Sequence, residues 1–239
     1  MTESIDDILK RHLLPAENFI SGFADLTGLL QDKFNGFNYG ISIGYKLDFN
    51  IVDKVINGPT QEYYSHYRLI NEELSLLTGK ISEDLNRNEI ETLNIDPTVS
   101  TAELDSIYFD TLRTDLSHKM VATRAGLGWI GKTDLFISRE FGPRLRLISI
   151  LLKTPVKTEF DPVNKSQCGN CNVCVDICPA KAANGKQWDI KVDREEFFDP
   201  FKCRNQCAEF GWTRLGIDAR ICGICVAACP VGRRKTTNN

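Results

Sequence analysis

The sequence predicts an α+β or α/β fold in which a mixed-sheet domain over residues 1–160 precedes a small cysteine-rich domain over residues 161–239. All nine cysteines lie between Cys168 and Cys229, so cysteine usage divides the chain in two. Before them, segments with helical and strand periodicity alternate, which favours layers of helices on a sheet. The hydrophobic content of 42% and the charged content of 26% are typical of a globular protein.

Three helices of the first domain are predicted from apolar spacing and from residues that start or stop helices. The first ends before Pro15. The second begins after Thr60, whose hydroxyl suits an N-cap, and ends before Gly79. The third leads into a glycine-rich segment. In chain order, these helices cover residues 5–13, 60–78 and 112–124.

The predicted strands are short and apolar. Residues 39–45 alternate with glycine, which is typical of a strand that neighbouring backbone approaches closely. Residues 135–137 and 144–152 are expected to pair with each other through the turn Gly142-Pro143. Residues 157–165 form the expected linker into the cysteine-rich domain.

The first cysteine group has the C-x₂-C-x₂-C-x₃-C-P spacing of bacterial ferredoxins with two [4Fe–4S] clusters. In that pattern the fourth cysteine binds the other cluster, and a distant cysteine followed by proline completes the first. Thiolates are the soft ligands that iron–sulfur clusters require, and two such runs make a pair of zinc sites the weaker alternative. The predicted ligands of the first cluster are Cys168, Cys171, Cys174 and Cys229.

The second cluster needs a ligand that its own cysteine group does not provide. A complete ferredoxin repeat would carry a cysteine three residues before Cys222, where this chain has Ala219. Either Cys203 or Cys207 must take its place, and we expect Cys203 to be the ligand and Cys207 the spare thiol. The predicted ligands of the second cluster are Cys178, Cys203, Cys222 and Cys225.

The segment TRAGLGWIGK at residues 123–132, followed by Leu-Phe-Ile at 135–137, Gly142 and the ferredoxin run, resembles epoxyqueuosine reductases. The Gly-Pro-Thr at residues 58–60, with the tyrosines and arginine that follow it, adds to this resemblance, as does the single-cysteine insertion. The resemblance covers about residues 40 to 230. Members of that family are cobalamin-dependent iron–sulfur enzymes related in design to reductive dehalogenases. They reduce the epoxide of a modified tRNA base to an alkene.

The resemblance implies that the first domain binds a corrinoid, with a flavin as the weaker alternative. Glycine would let the backbone approach a flat macrocycle, although a tight turn between helix and strand would require glycine as well. A histidine in this region could contact the cofactor or supply a proton near neutral pH, or be an ordinary partly exposed side chain. The predicted cofactor contacts are Tyr67, His118, Gly126, Gly128, Trp129, Gly131, Lys132 and Asp134.

The chain departs from the family at three points. The resemblance implies a C-terminal helical-repeat domain used for tRNA contact, and we expect this chain to lack it. The tyrosine–histidine order of the family appears reversed as His66-Tyr67. No aspartate aligns with the family's catalytic one without a gap, so Asp115 is the expected proton donor, with Asp110 as the alternative.

Charge and hydropathy limit the possible partners. The net charge of −3 gives no general attraction to nucleic acid or to anionic membranes. The longest apolar run, Leu145–Leu152, is too short to span a bilayer. The N-terminus has no signal-peptide pattern. We therefore expect a cytoplasmic protein without a membrane partner, in a compartment where clustered cysteines bind metal instead of forming disulfides.

Together these patterns predict an iron–sulfur oxidoreductase that passes low-potential electrons from two [4Fe–4S] clusters to a corrinoid, or a flavin, in the first domain. Its expected partners are a low-potential electron donor such as a ferredoxin or flavodoxin, and either tRNA or a corrinoid protein. The alternative is an electron-transfer protein that docks on a separate corrinoid or redox enzyme and reduces it.

Overall fold

The computed structural model describes residues 3–99 and 104–233, which form two compact units. Each unit is assembled from three separate stretches of chain. Unit 1 comprises Met1–Lys46, Leu69–Leu127 and Arg146–Val163, and unit 2 comprises Leu47–Arg68, Gly128–Leu145 and Asn164–Asn239. The last change of unit, after Val163, lies near the predicted boundary at residue 160. The cysteine-rich unit differs from the predicted domain because it also includes two earlier stretches.

The helices and strands have the following bounds. The helices are α1 (Ile5–His12), α2 (Phe49–Asp53), α3 (Gln61–Arg87), α4 (Ser106–Thr111), α5 (His118–Arg124), α6 (Val173–Asp176), α7 (Pro200–Phe210) and α8 (Ile224–Ala228). The strands are β1 (Phe19–Asp25), β2 (Tyr39–Lys46), β3 (Thr92–Ile95), β4 (Gly128–Ile130), β5 (Phe136–Ser138) and β6 (Leu145–Leu152).

Unit 1 is built on a four-stranded sheet with the strand order β1-β2-β6-β3. Strand β1 pairs with β2 and β3 pairs with β6, both antiparallel. Helix α5 packs against β1 and β2, and a Cβ atom at Gly40 of β2 would lie only 3.2 Å from Val121 of this helix. The predicted strand at 39–45, closely approached by its neighbours, is therefore confirmed. The predicted α+β class is confirmed as well.

Two of the three predicted helices differ from the structure at one end. The first is confirmed as α1, with Ser4 as its N-cap. Thr60 caps α3 as predicted, since its Oγ1 accepts a hydrogen bond from the Tyr63 amide at 3.1 Å. The predicted end of α3 before Gly79 is wrong. The helix continues to Arg87 because fully buried Ile81 and Leu85 extend its apolar stripe.

The third predicted helix, over residues 112–124, is wrong in its first half. Leu112 adopts a left-handed conformation with φ of 51° and terminates α4. Helix α5 then begins at His118, because the Ser117 side chain accepts a hydrogen bond from the Met120 amide and acts as a new N-cap. Only α5 therefore lies within the predicted range, and α4 lies entirely before it.

The predicted pairing of residues 135–137 with 144–152 is also wrong. Strand β5 pairs instead with β4, which lies inside the glycine-rich segment. Strand β6 takes the position between β2 and β3, where most of its side chains are buried. An almost continuous apolar sequence suits a strand covered on both faces, which a two-stranded hairpin could not provide.

Unit 2 contains the β4–β5 hairpin and three short helices that each carry cysteines. Helix α6 contains Cys174, α7 contains Cys203 and Cys207, and α8 contains Cys225. Helix α8 also contacts α2 and α6. The recruitment of residues 47–68 into this unit follows from such contacts, since a Cβ atom at Gly223 would lie 2.8 Å from Val55.

Gly128 and Gly79 should respond in opposite directions to substitution by alanine. A Cβ atom at Gly128 would lie 2.1 Å from the carbonyl oxygen of Ile137 in the paired strand, so Gly128→Ala should lower the free energy of unfolding by about 1–3 kcal/mol. Gly79 lies inside α3 with open space around its Cβ position, so Gly79→Ala should raise that free energy by about 0.5–1 kcal/mol.

Urea denaturation of the full chain, followed by circular dichroism, measures both changes. The Gly79 variant is the matched control, because it introduces the same methyl group without a backbone contact. Equal stability of the Gly128 variant and the unmodified protein would contradict the described hairpin.

Candidate iron–sulfur centre

The nine cysteines are all described and form no disulfide. We group them by the predicted clusters into a first set, Cys168, Cys171, Cys174 and Cys229, and a second set, Cys178, Cys203, Cys207, Cys222 and Cys225. Burial raises the pKa of the Cys229 thiol to about 11, and the charges of Cys174 and Cys168 add to this effect. Burial likewise raises the pKa of Cys174, which is near Cys168 and Cys171. The four predicted thiols are therefore neighbours, although Cys229 is far from the others in sequence.

The second set contains five thiols. Cys207 forms hydrogen bonds with Cys203 and Cys222, which raise the pKa of the Cys207 thiol and help to lower that of Cys222 to about 7. Burial raises the pKa of Cys225, and nearby Cys222, Cys203, Cys174 and Cys178 act in the same direction, so Cys174 of the first set also lies near Cys225. The predicted spare thiol, Cys207, thus lies among the predicted ligands. The choice between Cys203 and Cys207 stays a prediction.

The chemistry of these donors fits iron–sulfur clusters. Among the described residues, no group of three His, Cys, Asp or Glu side chains is arranged to hold a single metal ion. Cysteine ligands of a cluster surround it and bind different iron atoms, so they do not converge on one point. Backbone amides of Val231 and Ile224 form hydrogen bonds with the sulfurs of Cys229 and Cys222. Such hydrogen bonds to ligand sulfurs help set cluster potentials.

The β4–β5 hairpin packs on the loop that carries the first cysteines. The indole Nε1 of Trp129 donates a hydrogen bond to Cys168 Sγ at 3.4 Å. The ammonium group of Lys132, a side chain only 3% exposed, donates to Asn172 Oδ1 at 2.7 Å. Trp129 and Lys132 were predicted to contact a cofactor. The structure shows that both contact the cysteine loop, which sequence reasoning missed, and their contact with a cofactor stays a prediction.

Arg144, which sequence reasoning also missed, is the largest fully buried side chain in the described residues. Its Nη1 donates to the carbonyl oxygens of Cys229 and Val231 at 3.1 and 3.2 Å, and its Nη2 donates to that of Ala227 at 2.8 Å. Burial lowers the pKa of Arg144, and the Asp53 carboxylate 3.7 Å away opposes this effect. The only sequence signal for a buried Arg144 was its position next to Pro143, at the start of an otherwise largely apolar segment.

The glycines of the predicted cofactor segment have structural reasons of their own. Gly126 has a φ of +73°, and a Cβ atom there would lie 2.5 Å from that of Phe160. Gly128 faces the Ile137 carbonyl, as described above. A Cβ atom at Gly131 would lie 3.1 Å from the Ile137 side chain. These contacts account for glycine at the three positions, and contact with a corrinoid stays a prediction.

The remaining predicted site residues lie in both units. Tyr67 is half-buried near the start of α3, and Asp134 forms the left-handed turn between β4 and β5, with φ of 57°. Asp115, the expected proton donor, is exposed in unit 1 and forms an ion pair with Lys33. His118 and Gly126 belong to unit 1, and the other six predicted cofactor contacts belong to unit 2.

His118 is half-buried, and both of its ring nitrogens form hydrogen bonds. Nε2 donates to the carbonyl oxygen of Asp96 at 2.9 Å, and Nδ1 accepts from the Ser149 hydroxyl at 2.9 Å. Burial lowers the pKa of His118 to about 4. The ring is therefore neutral at pH 7. It has no imidazolium proton to donate at that pH, in contrast to the predicted role as a proton source.

Comparison with curated proteins gives the family relationship. No family model matches the chain. Epoxyqueuosine reductases of Lactococcus garvieae, Pseudomonas aeruginosa and Bacillus anthracis are 43%, 31% and 30% identical over 114, 133 and 131 residues. Over these segments the chain is similar in sequence to epoxyqueuosine reductases. These matches cover 47–55% of the chain but only about a third of each relative, 31–34%.

Solved structures with the same fold include reductive dehalogenases and epoxyqueuosine reductases. A catabolic reductive dehalogenase in complex with 3-bromo-4-hydroxybenzoic acid matches with a TM-score of 0.63 at 15% identity, over 91% of this chain and 30% of its own. Epoxyqueuosine reductase with an epoxyqueuosine-modified tRNA-Tyr stem loop matches with a TM-score of 0.57 at 17% identity, over 95% of this chain and 64% of its own. The enzyme of Streptococcus thermophilus gives 0.56 at 18% identity, over 97% and 66%.

None of the described helices has both the length and the apolar character needed to cross a membrane.

Burial of neutral His118 should make the stability of the protein fall in mild acid. Its pKa is about 4 when folded and about 6.5 when unfolded, so the unfolded chain binds more protons between these values. This contribution is complete above pH 6.5 and is lost as the pH falls towards 4, by up to about 3 kcal/mol. His118→Asn should therefore flatten the dependence of the unfolding free energy on pH across this range.

Chemical denaturation at several values between pH 4.5 and 7.5 measures the effect. Ser149→Ala is the control, because it removes one hydrogen-bond partner but leaves the buried ring in place. That variant should keep the slope of the unmodified protein. An unchanged slope in His118→Asn would show that the ring is accessible to solvent.

Proposed function

We propose that this protein is an iron–sulfur reductase that receives single electrons at two [4Fe–4S] clusters and delivers them to a bound corrinoid. The observation that carries this proposal is that the predicted cluster cysteines lie near one another, and that Cys168 accepts a hydrogen bond from Trp129 of the glycine-rich segment. The sequence similarity to epoxyqueuosine reductases supports the same chemistry.

The residues of the first set would hold one cluster, and the hairpin would order its surroundings. Trp129 fixes the orientation of Cys168 through its indole N–H, and Lys132 fixes the loop through Asn172. Both side chains are more than nine-tenths buried, so they exclude water from this side of the cysteine loop. A corrinoid, when bound, supplies a cobalt centre that accepts single electrons and carries out the reaction with the substrate.

The substrate class that we propose is an epoxide on a modified tRNA base. Reduction of an epoxide to an alkene consumes two electrons and two protons and releases the oxygen as water. The electrons would come one at a time from a low-potential carrier such as a ferredoxin or flavodoxin. Asp115 remains our proposed proton donor, although its ion pair with Lys33 is that of a surface residue.

Metal content tests the cluster assignment and the role of the spare thiol. Protein reconstituted anaerobically with iron and sulfide should contain about eight iron atoms per chain, as eight cysteine ligands imply. Cys203→Ala should reduce this number to about four, because it removes a ligand of the second cluster. Cys207→Ala is the matched control on the same helix and should retain about eight.

Iron determination and the visible spectrum measure these contents. The reverse result, with loss only in the Cys207 variant, would exchange the roles of the two cysteines. Absence of bound iron and sulfide in the unmodified protein would contradict the proposed function.

Cobalamin binding tests the remaining part of the proposal. The reconstituted protein should retain about one cobalamin per chain after gel filtration, because a single corrinoid would serve as the proposed reaction centre. With a low-potential donor it should then remove one oxygen from an epoxyqueuosine-modified stem loop, detected by mass spectrometry. An unmodified stem loop is the control. A protein that carries eight iron atoms but retains no cobalamin would instead be an electron carrier for a separate corrinoid enzyme.

A further inference from the structure

A buried guanidinium fixes the segment that brings Cys229 to the first cysteine set. Three backbone carbonyl groups, those of Ala227, Cys229 and Val231, accept hydrogen bonds from Arg144. The carbonyl oxygen of Arg144 in turn accepts from the amide of Leu47 at 2.9 Å. These bonds connect the three stretches of unit 2, which are far apart in sequence.

The positive charge of Arg144 is compensated only in part. Its side chain is 0% exposed, whereas its acidic neighbour Asp53 is 61% exposed and 3.7 Å away. The guanidinium also lies over the ring of Phe49, with 5.7 Å between its central carbon and the ring centroid. The Nε atom is buried and has no hydrogen-bond partner in the described residues. An arginine side chain keeps its charge inside a protein.

We propose that Arg144 is a positioning residue that fixes Cys229 and raises the reduction potential of the first cluster. This inference rests on the proposed function, since it requires the cluster. Reduction adds one electron, taken from the low-potential carrier, and makes or breaks no bond. A buried positive charge stabilises the added negative charge because little solvent screens it.

The second cysteine set provides an internal comparison. Arg214 lies near enough to Cys222 for its charge to lower the pKa of that thiol. Its side chain, however, is exposed, so water and salt screen its charge. Of the two arginines, Arg144 should therefore have the larger influence on a cluster potential, and the first cluster should be the more easily reduced.

The experiment is a redox titration of the reconstituted full chain, followed by electron paramagnetic resonance. Arg144→Met removes the charge and keeps much of the volume. It should decrease the equilibrium constant for reduction of one cluster about tenfold, which is about 59 mV for one electron. Arg144→Lys keeps the charge and should shift the potential less. Arg214→Gln is the matched control and should leave that same cluster unchanged.

Asp53→Asn tests the sign of the effect without disturbing Arg144. It removes the opposing charge and should increase the equilibrium constant of the same cluster roughly twofold, a small effect because the pair is exposed on one side. If Arg144→Met loses iron, the potentials of the Asp53→Asn and Arg144→Lys variants still test whether the charge of Arg144 acts on the cluster. A shift in Asp53→Asn towards lower potential, or none, would then overturn the proposal.

The outcomes separate this inference from the proposed function. An unmodified protein without iron would contradict the proposed function. An unmodified protein with about eight iron atoms, together with an Arg144→Met variant of unchanged potential, would overturn only the role of Arg144. Equal shifts of both clusters in that variant would also overturn it, because they would indicate a general structural change.

Discussion

The arrangement of unit 2 depends on bringing Cys229 beside cysteines that precede it by more than fifty positions in the printed sequence. Backbone contacts achieve this together with Arg144. A Cβ atom at Gly142 would lie 2.0 Å from the carbonyl oxygen of Val231, and one at Gly232 would lie 2.1 Å from the carbonyl carbon of Phe141. Two segments therefore cross in direct backbone contact. Side chains larger than hydrogen would separate them and move the last cysteine away from its set.

Cysteine spacing allows ligand sets to be predicted because ligand spacing is a local property, and these assignments stay predictions. The run from Cys168 to Cys178 specifies its geometry within a few residues, and the gap at Ala219 directs attention to α7. Arg144 could not be predicted in the same way. Its burial depends on carbonyl acceptors at residues 227–231, and in the sequence it looks like any arginine beside a strand.

The errors in secondary structure have a related cause. The extent of α3 was underestimated at Gly79, since a glycine with open space around it does not end a helix whose apolar face continues. The pairing of β5 and β6 was wrong because a strand chooses its partner through contacts outside the segment. Residues that bind their own neighbours, such as Thr60, were predicted correctly.

The interleaved segments of the two units also bear on the order in which the chain can fold during its synthesis. Unit 1 has all its segments once residue 163 has been made, and domains commonly fold while translation continues. Unit 2 includes Leu47–Arg68, but its first cysteine set is incomplete until Cys229 emerges from the ribosome. Residues 47–68 are therefore synthesised long before the C-terminal residues that they contact in unit 2. The first cysteine set is consequently completed late, after the synthesis of Cys229.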